Sequence, residues 1–425
     1  MSIEKMFAAS NAVYRWDAID FHAAKKSVKK LQKRIAEAFG DNDVDRFAGL
    51  QCKLIHSFYA KALAVKAVTS TRGKYTPGID FDVWSTPGEK LSAIFSLSRR
   101  GYKPKPLKRI YIPKPSGGVR PLSIPTMKDR AMQTLYRFAL EPIAELTGDE
   151  HSYGFRPKRS ARDAVQRCID VLSMPPSPRY ILKADIQSCF DNIDHDWVME
   201  HIPMDKTVLR KFLKCGYIRW GTFYPMERGV PQGGSISSVI CNMVLDGLEA
   251  LLKKQFGEAV SMIRYADDII IISDCPTLLV QSVVPELNCF LLERGLQLSR
   301  EKTQVVAVRD GFVFLGFGIR KDGDDIVAIP ARKGVDSLTD KVCNALSVIS
   351  TVPLDSLPSN SIISLGFSLQ YIIRGWCNYY RGIAAPSSLC EVQSRLAALA
   401  EQLTGDVRIA DFIHKNFEKN ILKEA

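Results

Sequence analysis

The stretch from Arg264 to Ser273, RYADDIIIIS, decides how the rest of this 425-residue chain is interpreted. Ile269–Ile272 is an uninterrupted run of β-branched residues, which predicts a buried strand. Arg264-Tyr265 stands on the other side of Ala266-Asp267-Asp268. We therefore predict a tight hairpin or strand edge with two carboxylates at its tip, and the alternative is a plain Asp-Asp turn.

The two adjacent carboxylates call for a cation. In apolar surroundings each carboxylate raises the pKa of the other unless a positive charge lies between them, and a divalent metal is the natural partner. Successive strand residues point to opposite faces, so we expect one of Asp267 and Asp268 to be the main ligand and the other to assist. Asp185, which follows the predicted strand Tyr180–Ala184, supplies the third carboxylate that a two-cation site requires.

The charge of the chain predicts a polyanionic partner. The formal net charge is +12, and the excess is clustered: Arg99–Arg120 holds eight basic residues and no acidic one, and Lys25–Arg34 holds six. Phosphate neutralisation supplies most non-specific affinity for nucleic acid. A solvated basic face is the alternative for each block. Apolar residues recur at helical spacing from Asp20 to Phe39, so Lys25, Lys29 and Lys30 are predicted on a basic amphipathic helix that is a candidate surface for the polyanion.

Cysteine spacing and hydropathy narrow the class of protein. The ten cysteines include no Cys-x-x-Cys pair, so neither a zinc site nor a disulfide framework is predicted, and free thiols fit a reducing cytosol. No apolar run approaches the ~18 residues of a membrane span, and the first residues lack the apolar core of a signal peptide. We expect a soluble cytoplasmic protein without a membrane partner. The sequence leaves the oligomeric state open.

Three further motifs predict contacts with nucleotides or nucleic acid. The stretch from Tyr102 to Arg120 predicts a hairpin that presents basic groups, Arg109 among them, to phosphates. The loop Ser152–Ser160 interleaves Arg156, Lys158 and Arg159 with aromatic residues, which suits a groove that stacks bases. A Gly-rich turn, 228–235, opens a predicted helix from Ile236 to about Phe256, and exposed amides at a helix start can meet a nucleotide. Another single helix is predicted from Val44 to about Val68.

Taken in order, these blocks resemble the reverse transcriptases of bacterial group II introns. The resemblance covers roughly Gly78 to Arg381, and its motifs are RIYIPKPSGGVRPLSIP, SYGFRPKRSARDAV, ILKADIQSCFDNIDHD, RGVPQGGSISSVICNM, RYADDIIIIS, LSREKTQ, FLGF and RGWCNYYR. It implies an α+β fold shaped like a right hand, with fingers built from the basic hairpin, a palm with an antiparallel sheet backed by helices, and a helical thumb. The predicted divisions are a basic helical N-terminal extension (1–75), fingers and palm (76–325), and a thumb with a short tail (326–425).

The resemblance also implies roles for single residues. Asp185, Asp267 and Asp268, helped by the backbone of Ile186, would hold two Mg²⁺ ions. The nucleotide would meet Lys114 and Arg120 at its triphosphate, Gln232 at the start of a helix, and Phe190, which would exclude a 2′-hydroxyl and so select deoxynucleotides. Leu315 and Gly316 would grip the primer end.

The implied activity is RNA-directed DNA synthesis from deoxynucleoside triphosphates, with an RNA template and a DNA primer or product as partners. The stretch after Arg381 holds one histidine, His414, and one cysteine, Cys390, so no endonuclease domain is expected there. The pattern resembles stand-alone relatives of the intron enzymes, a class that includes antiphage defence enzymes working on a structured non-coding RNA encoded nearby. The alternative is a group II intron maturase, a splicing cofactor, or an intron-mobility enzyme. An RNA-templated RNA polymerase is disfavoured by Phe190.

Overall fold

The computed structural model describes residues 15–113, 117–175, 177–347 and 354–421. Its α-helices are α1 (Phe21–Gly40), α2 (Val44–His56), α3 (Phe58–Thr69), α4 (Pro87–Ser96), α5 (Met127–Leu146), α6 (Ala161–Ser173), α7 (Cys189–Asn192), α8 (His195–His201), α9 (Lys206–Leu213), α10 (Ser237–Leu245), α11 (Leu248–Phe256), α12 (Pro276–Leu278), α13 (Val284–Leu292), α14 (Arg332–Leu346), α15 (Ser359–Tyr380), α16 (Pro386–Thr404) and α17 (Val407–Ile421). Its strands are β1 (Leu107–Pro113), β2 (Val119–Ile124), β3 (Tyr180–Asp185), β4 (Tyr217–Arg219), β5 (Thr222–Tyr224), β6 (Ser261–Tyr265), β7 (Asp268–Ser273), β8 (Gln304–Ala307), β9 (Phe312–Phe314), β10 (Phe317–Asp322) and β11 (Asp325–Pro330).

A four-stranded antiparallel sheet, ordered β6-β7-β3-β8, forms the centre of the palm. Its isoleucine run is buried on both faces: Ile269 and Ile271 belong to one hydrophobic core, and Ile270 and Ile272 belong to another. Because side chains alternate along a strand, an uninterrupted apolar run is what a sheet covered on both sides requires.

A second sheet, ordered β2-β1-β4-β5, forms the fingers, in which β1 and β2 make the predicted basic hairpin. Strand β4 joins β1 in parallel and is itself turned back into β5. A third sheet, β11-β10-β9, leads from the palm into helices α14 to α17, which have a hydrophobic core of their own. The right-hand α+β architecture predicted from the sequence is thus the one observed.

The basic helix α1 is present as predicted and is capped by Asp20, whose carboxylate accepts hydrogen bonds from the amides of His22 and Ala23 at 2.9 Å. Its apolar side, including Val28 and Ile35, packs into the same core as palm residues. The N-terminal helices therefore share their interior with the palm. The predicted boundary at residue 326 falls within β11, and the domain division stays a prediction.

Two helices predicted as continuous are broken. The first prediction, Val44 to Val68, is wrong because Ser57 adopts an extended backbone and caps α3 through a hydrogen bond from the amide of Ala60. The second, Ile236 to Phe256, is wrong because Gly247 lies in the left-handed region at φ 91° and separates α10 from α11. Glycine adopts that conformation without steric cost, so it ends helices readily.

Two predictions about the class of protein meet direct observations. All ten cysteines lie within the described residues and are free thiols, as their spacing predicts. None of the helices in the described ranges is long and apolar enough to span a bilayer.

Candidate active site

The two adjacent carboxylates lie at a tight hairpin, as predicted. Strands β6 and β7 are joined by Ala266 and Asp267 alone, and Tyr265 pairs with Asp268 across the turn. Ala266 is in the left-handed region at φ 56°, which a two-residue turn between twisted antiparallel strands demands. The turn places both aspartates at one end of the palm sheet, where β6 leads into β7.

Asp185 reaches the same place through strand register. Strand β3 pairs with β7 so that Asp185 stands opposite Asp268. The segment after residue 296 fixes this end of β3, because the amide of Ser299 donates to the carbonyl of Asp185 at 2.7 Å and Ile186 bridges to Leu298. The same segment supplies Lys302, whose ammonium lies 3.2 Å and 3.3 Å from the two carboxylate oxygens of Asp185.

The electrostatics show carboxylates that lack a full set of counter-charges. Burial is the main cause that raises the pKa of both Asp267 and Asp268, and Asp185 raises each further. Lys302 opposes the rise at both aspartates, Lys183 at Asp268 and Arg120 at Asp267. Two buried like charges that share a site favour protonation unless a cation is added.

The donor set matches a hard divalent cation. The ammonium of Lys302 already occupies a cation position against Asp185, and all three side chains offer oxygen ligands, which Mg²⁺ prefers over nitrogen or sulfur. Within the described part of the chain, no three His, Cys, Asp or Glu side chains are grouped so that they could hold a metal ion. An open set of this kind is expected for Mg²⁺, which usually takes one or two carboxylates together with substrate phosphates.

A buried ionic network supports the hairpin from behind. Arg264 is fully buried, and its guanidinium donates to Asp246, to Asp149 at 3.4 Å and to the carbonyl of Ala266 at 3.5 Å. Arg156 donates to the same carboxylate oxygen of Asp246 at 2.5 Å. A buried charge requires partners of this kind, since one left alone costs several kcal/mol, of the order of 3–5.

Comparison with known proteins assigns the chain to a family. Residues 112–319 match the model of the reverse transcriptase (RNA-dependent DNA polymerase), and residues 16–97 match the N-terminal domain of reverse transcriptase. Protein YkfC of Escherichia coli is 30% identical over 299 residues, which cover 60% of this chain and 78% of that protein. The chain belongs to the reverse transcriptase family. Its polymerase domain is that of an RNA-directed DNA polymerase, and it is homologous to group II intron-encoded proteins.

Other relatives of this reverse transcriptase come from introns and maturases. The group II intron-encoded protein LtrA of Lactococcus lactis is 34% identical over 196 residues, 44% of this chain, and the match spans only 32% of LtrA. Maturase-like protein 1 of Euglena gracilis is 23% identical over 84% of this chain and 76% of that protein. Among solved structures, apo telomerase from Candida tropicalis aligns with 75% of this chain and 65% of its own, at 13% identity and a TM-score of 0.44.

Of the described residues predicted to bind the nucleotide, Arg120 is the one whose charge acts on an active-site carboxylate. Arg120 is exposed on β2 and acts on the charge of Asp267. The carbonyl of Phe190 accepts a hydrogen bond from the amide of Val230 at 2.7 Å, and the carbonyl of Gln232 accepts one from the amide of Ser123 at 2.8 Å. The Gly-rich turn is therefore held between palm and fingers. Lys114 lies outside the described residues.

The predicted nucleic-acid contacts divide into exposed and buried residues. Lys25, Lys29 and Lys30 are exposed on α1, and Lys158 is exposed in its loop. Arg109 lies over the ring of Tyr217 at 4.1 Å. All of these residues stay predicted contacts with nucleic acid. The lysines are exposed to solvent, and the guanidinium of Arg109 stacks on a ring without forming an ion pair with another described residue.

The prediction that Arg156 contacts nucleic acid is wrong. Its side chain is 1% exposed, and its guanidinium is committed to Asp246, Glu145 and the carbonyl of Ala144. Arg159 is largely engaged as well, since it donates to the carbonyls of Glu150 and Ser152 at 2.8 Å and 2.6 Å. Arg156 and Arg159 therefore belong to the polar support behind the turn that carries Asp267.

Leu315 and Gly316 form the turn between β9 and β10, both with positive φ. Their carbonyls accept hydrogen bonds from the hydroxyls of Tyr379 and Tyr380, at 2.7 Å and 3.1 Å. The turn predicted to grip the primer is thus fastened to helix α15, so the RGWCNYYR motif holds the primer turn through its tyrosines.

Two features of the structure were not predicted from the sequence. The first is the pairing of Lys302 with Asp185, although LSREKTQ was recognised as a motif. The second is the β4–β5 hairpin, whose signal is a Trp220-Gly221 pair between short aromatic stretches. A two-residue turn ending in glycine between alternating apolar residues is a hairpin signal.

Gly154 tests how closely the catalytic turn is supported. A Cβ built on Gly154 would lie 2.4 Å from the amide nitrogen of Ala266 and 2.9 Å from the carbonyl carbon of Tyr265. These backbone atoms cannot move without displacing Asp267. We expect Gly154→Ala to lower kcat of DNA synthesis by about 10- to 100-fold, since a misplacement of about 1 Å can cost 10²-fold.

The control for Gly154→Ala is Gly49→Ala, because a Cβ at Gly49 in α2 meets nothing within 4 Å. Steady-state primer extension and a thermal melt of both variants are the measurements. Unchanged kcat in a folded Gly154→Ala protein would contradict the close packing seen here.

The raised pKa of Asp267 predicts a pH-dependent stability. Without metal, the folded protein holds the Asp267 proton to a higher pH than the unfolded chain, whose aspartate titrates near 3.9. Ionisation therefore destabilises the fold as pH rises through the folded pKa. We expect Asp267→Asn to be more stable than wild type at pH 8 in chelator, with the gap closing toward pH 4.

Chemical denaturation at several pH values, with and without Mg²⁺, measures the effect of Asp267→Asn. Added Mg²⁺ should stabilise wild type more than the variant, since binding to the folded state alone adds stability. The matched control is Asp274→Asn, at the far end of β7, where the carboxylate is exposed beside Arg179. A wild-type protein that is the more stable one at pH 8 in chelator would disprove the prediction.

Proposed function

We propose that this reverse transcriptase synthesises complementary DNA by two-metal nucleotidyl transfer at Asp185, Asp267 and Asp268. The observation that carries the proposal is the register of β3 and β7, which brings Asp185 opposite Asp268 beside the two-residue turn that holds Asp267. When bound, two Mg²⁺ ions would lower the pKa of the primer 3′-hydroxyl and neutralise charge on the triphosphate and pyrophosphate.

The side chains of the protein perform the remaining tasks. The three carboxylates hold the cations, helped by the backbone of Ile186. Arg120 faces the site and suits bidentate contact with the triphosphate, as we propose for Lys114 as well. Lys302 holds Asp185 in place before the substrate arrives.

For the template, we propose a structured non-coding RNA encoded near the gene, and for the biological role we propose antiphage defence. Both rest on the resemblance to stand-alone relatives of the intron enzymes. The second candidate is a splicing cofactor for a group II intron, which is favoured by the matches to LtrA and to maturase-like protein 1. The cytoplasm is the proposed location for either role.

The first experiment identifies the template. The protein is purified from its native host, and the RNA and DNA that copurify with it are sequenced for wild type and for Asp267→Ala combined with Asp268→Ala. We expect one small RNA in both preparations and complementary DNA only with wild type, together with loss of phage protection in the variant. The exposed carboxylate variant Asp274→Asn is the control and should behave as wild type.

The opposite outcome has a clear meaning. Enrichment of intron RNA, with splicing that survives the loss of both aspartates, would replace the defence role by the splicing role. Complementary DNA that still forms in the double variant would disprove the proposed site itself.

Phe190 gives a test of nucleotide choice. An aromatic ring against the sugar excludes a 2′-hydroxyl, so we expect Phe190→Ala to raise the use of ribonucleotides relative to deoxynucleotides by at least about 10-fold, in line with ~1–3 kcal/mol for a steric or packing change. Single-nucleotide primer extension measures kcat/KM for both. Phe95→Ala, on helix α4, is the control. An RNA-templated RNA polymerase would instead show little change in ribonucleotide use.

A further inference from the structure

The fingers sheet carries a row of stacked aromatic and arginine side chains, of which only Arg109 is named above as a predicted nucleic-acid contact. Arg219 lies over the ring of Trp220 at 3.9 Å and over that of Tyr111 at 5.0 Å. Arg109 lies over Tyr217 at 4.1 Å, and Tyr217 stacks on Tyr224 at 5.3 Å with the rings 13° from parallel. We call these six residues the aromatic–arginine row.

Strand register places the row on one face of the sheet. Arg109 and Tyr111 alternate along β1, and Tyr217 pairs with Leu107 and with Tyr224, so their side chains share a face. Arg120 pairs with Ile112, which lies on the other face. Because Arg120 is the fingers residue that acts on Asp267, the row faces away from the catalytic carboxylates.

The two arginines of the row lack a polar partner within the described part of the protein. Among the described residues, neither guanidinium has a hydrogen bond or an ion pair, and the Nε atom of each is buried without a partner. The strands and turns of this sheet, 107–124 and 217–224, contain five basic residues and no Asp or Glu. Stacked, unpaired guanidinium groups on a surface without acidic residues are complementary to phosphate.

The tip of the β4–β5 hairpin combines an unfavourable backbone conformation with an exposed aromatic side chain. Trp220 is 84% exposed at the tip of the β4–β5 turn and adopts the left-handed region at φ 50°. A large exposed aromatic residue in that conformation is disfavoured both by solvation and by backbone sterics, and such strain concentrates where a ligand binds. Tyr111 and Tyr224 are also exposed, at 39% and 38%.

We propose that the aromatic–arginine row binds an unpaired segment of the template RNA, outside the hybrid with the primer. Aromatic faces interleaved with arginine bind single strands, because every unpaired base offers a face for stacking and its phosphate meets a guanidinium. A duplex hides its base faces, so the occupant is unpaired. The RNA as occupant rests on the proposed function, since an RNA-directed polymerase carries template beyond the hybrid.

The test compares two hybrids of a DNA primer and an RNA template, one blunt and one with an unpaired 5′ RNA tail of about 12 nucleotides, within the usual 4–16 per site. Binding is measured by fluorescence anisotropy without nucleotide. We expect the tail to raise the affinity of wild type by about 10-fold, and Trp220→Ala with Arg219→Ala to remove that gain while the blunt hybrid binds unchanged. Arg219→Ala alone should reduce the salt slope by about 1.

Conservative variants separate stacking from charge. Trp220→Tyr should keep most of the gain, and Arg219→Lys should keep the salt slope but lose part of the gain, because an ammonium does not stack. Lys253→Ala, an exposed charge on α11 beside Glu258, is the control for loss of one positive charge. Because Trp220 is exposed, its replacement should leave the fold intact, and a thermal melt of each variant checks this.

Two outcomes of the binding measurement would overturn the proposal. One is an equal loss on blunt and tailed hybrids, which would indicate a general charge effect, and the other is no loss on either. A 4-thiouridine in the tail should crosslink to the peptide that contains Trp220, and a crosslink only to other peptides would also overturn it. The double variant of Asp267 and Asp268 should keep the gain from the tail, so failure of catalysis and failure of this surface are distinguishable.

Discussion

The pairing of β3 with β7 is the constraint on which the active site depends. A shift of one residue would turn every side chain of β7 to the opposite face, and would move both Asp268 and the isoleucine run out of place. The two cores oppose that shift because it would carry the carboxylate of Asp268 into the place of Ile269, between the core that holds Ile271 and the core that holds Ile270 and Ile272. The hydrophobic effect thereby fixes the position of charged groups that it does not itself favour.

The buried carboxylates of Asp267 and Asp268 are tolerated because positively charged side chains lie near them. Burial disfavours the ionised forms of Asp267 and Asp268. Three cations from different parts of the chain, Lys302, Lys183 and Arg120, offset part of that effect. Behind the turn, Arg264 is itself paired with Asp246 and Asp149. The ion pairs behind the turn are therefore buried from solvent. On the other side of the turn, Asp267 and Asp268 keep negative charge that cations and substrate can neutralise.

Sequence alone predicted the parts whose signals are local. The isoleucine run and the Asp-Asp turn identified the palm hairpin, and the helical spacing of apolar residues identified α1. It failed where a tertiary contact decides: Arg156 looked like a nucleic-acid contact because basic and aromatic residues alternate around it, but Asp246, 90 residues away, binds it in the interior. The breaks at Ser57 and Gly247 depend on one residue each, within helical patterns that continue on both sides. Lys302 required knowledge of where Asp185 lies.

The two faces of the fingers sheet carry different sets of side chains. Alternation along β1 and its neighbours sends Arg120 toward the catalytic carboxylates and Arg109, Tyr111 and Arg219 to the other side. Because the two sets share the same strands, a strand that arranges the nucleotide-facing side also fixes the spacing of the stacked row. RNA held on the outer face would restrain the sheet that carries Arg120, and the sheet would link template binding to the nucleotide site through backbone pairing alone.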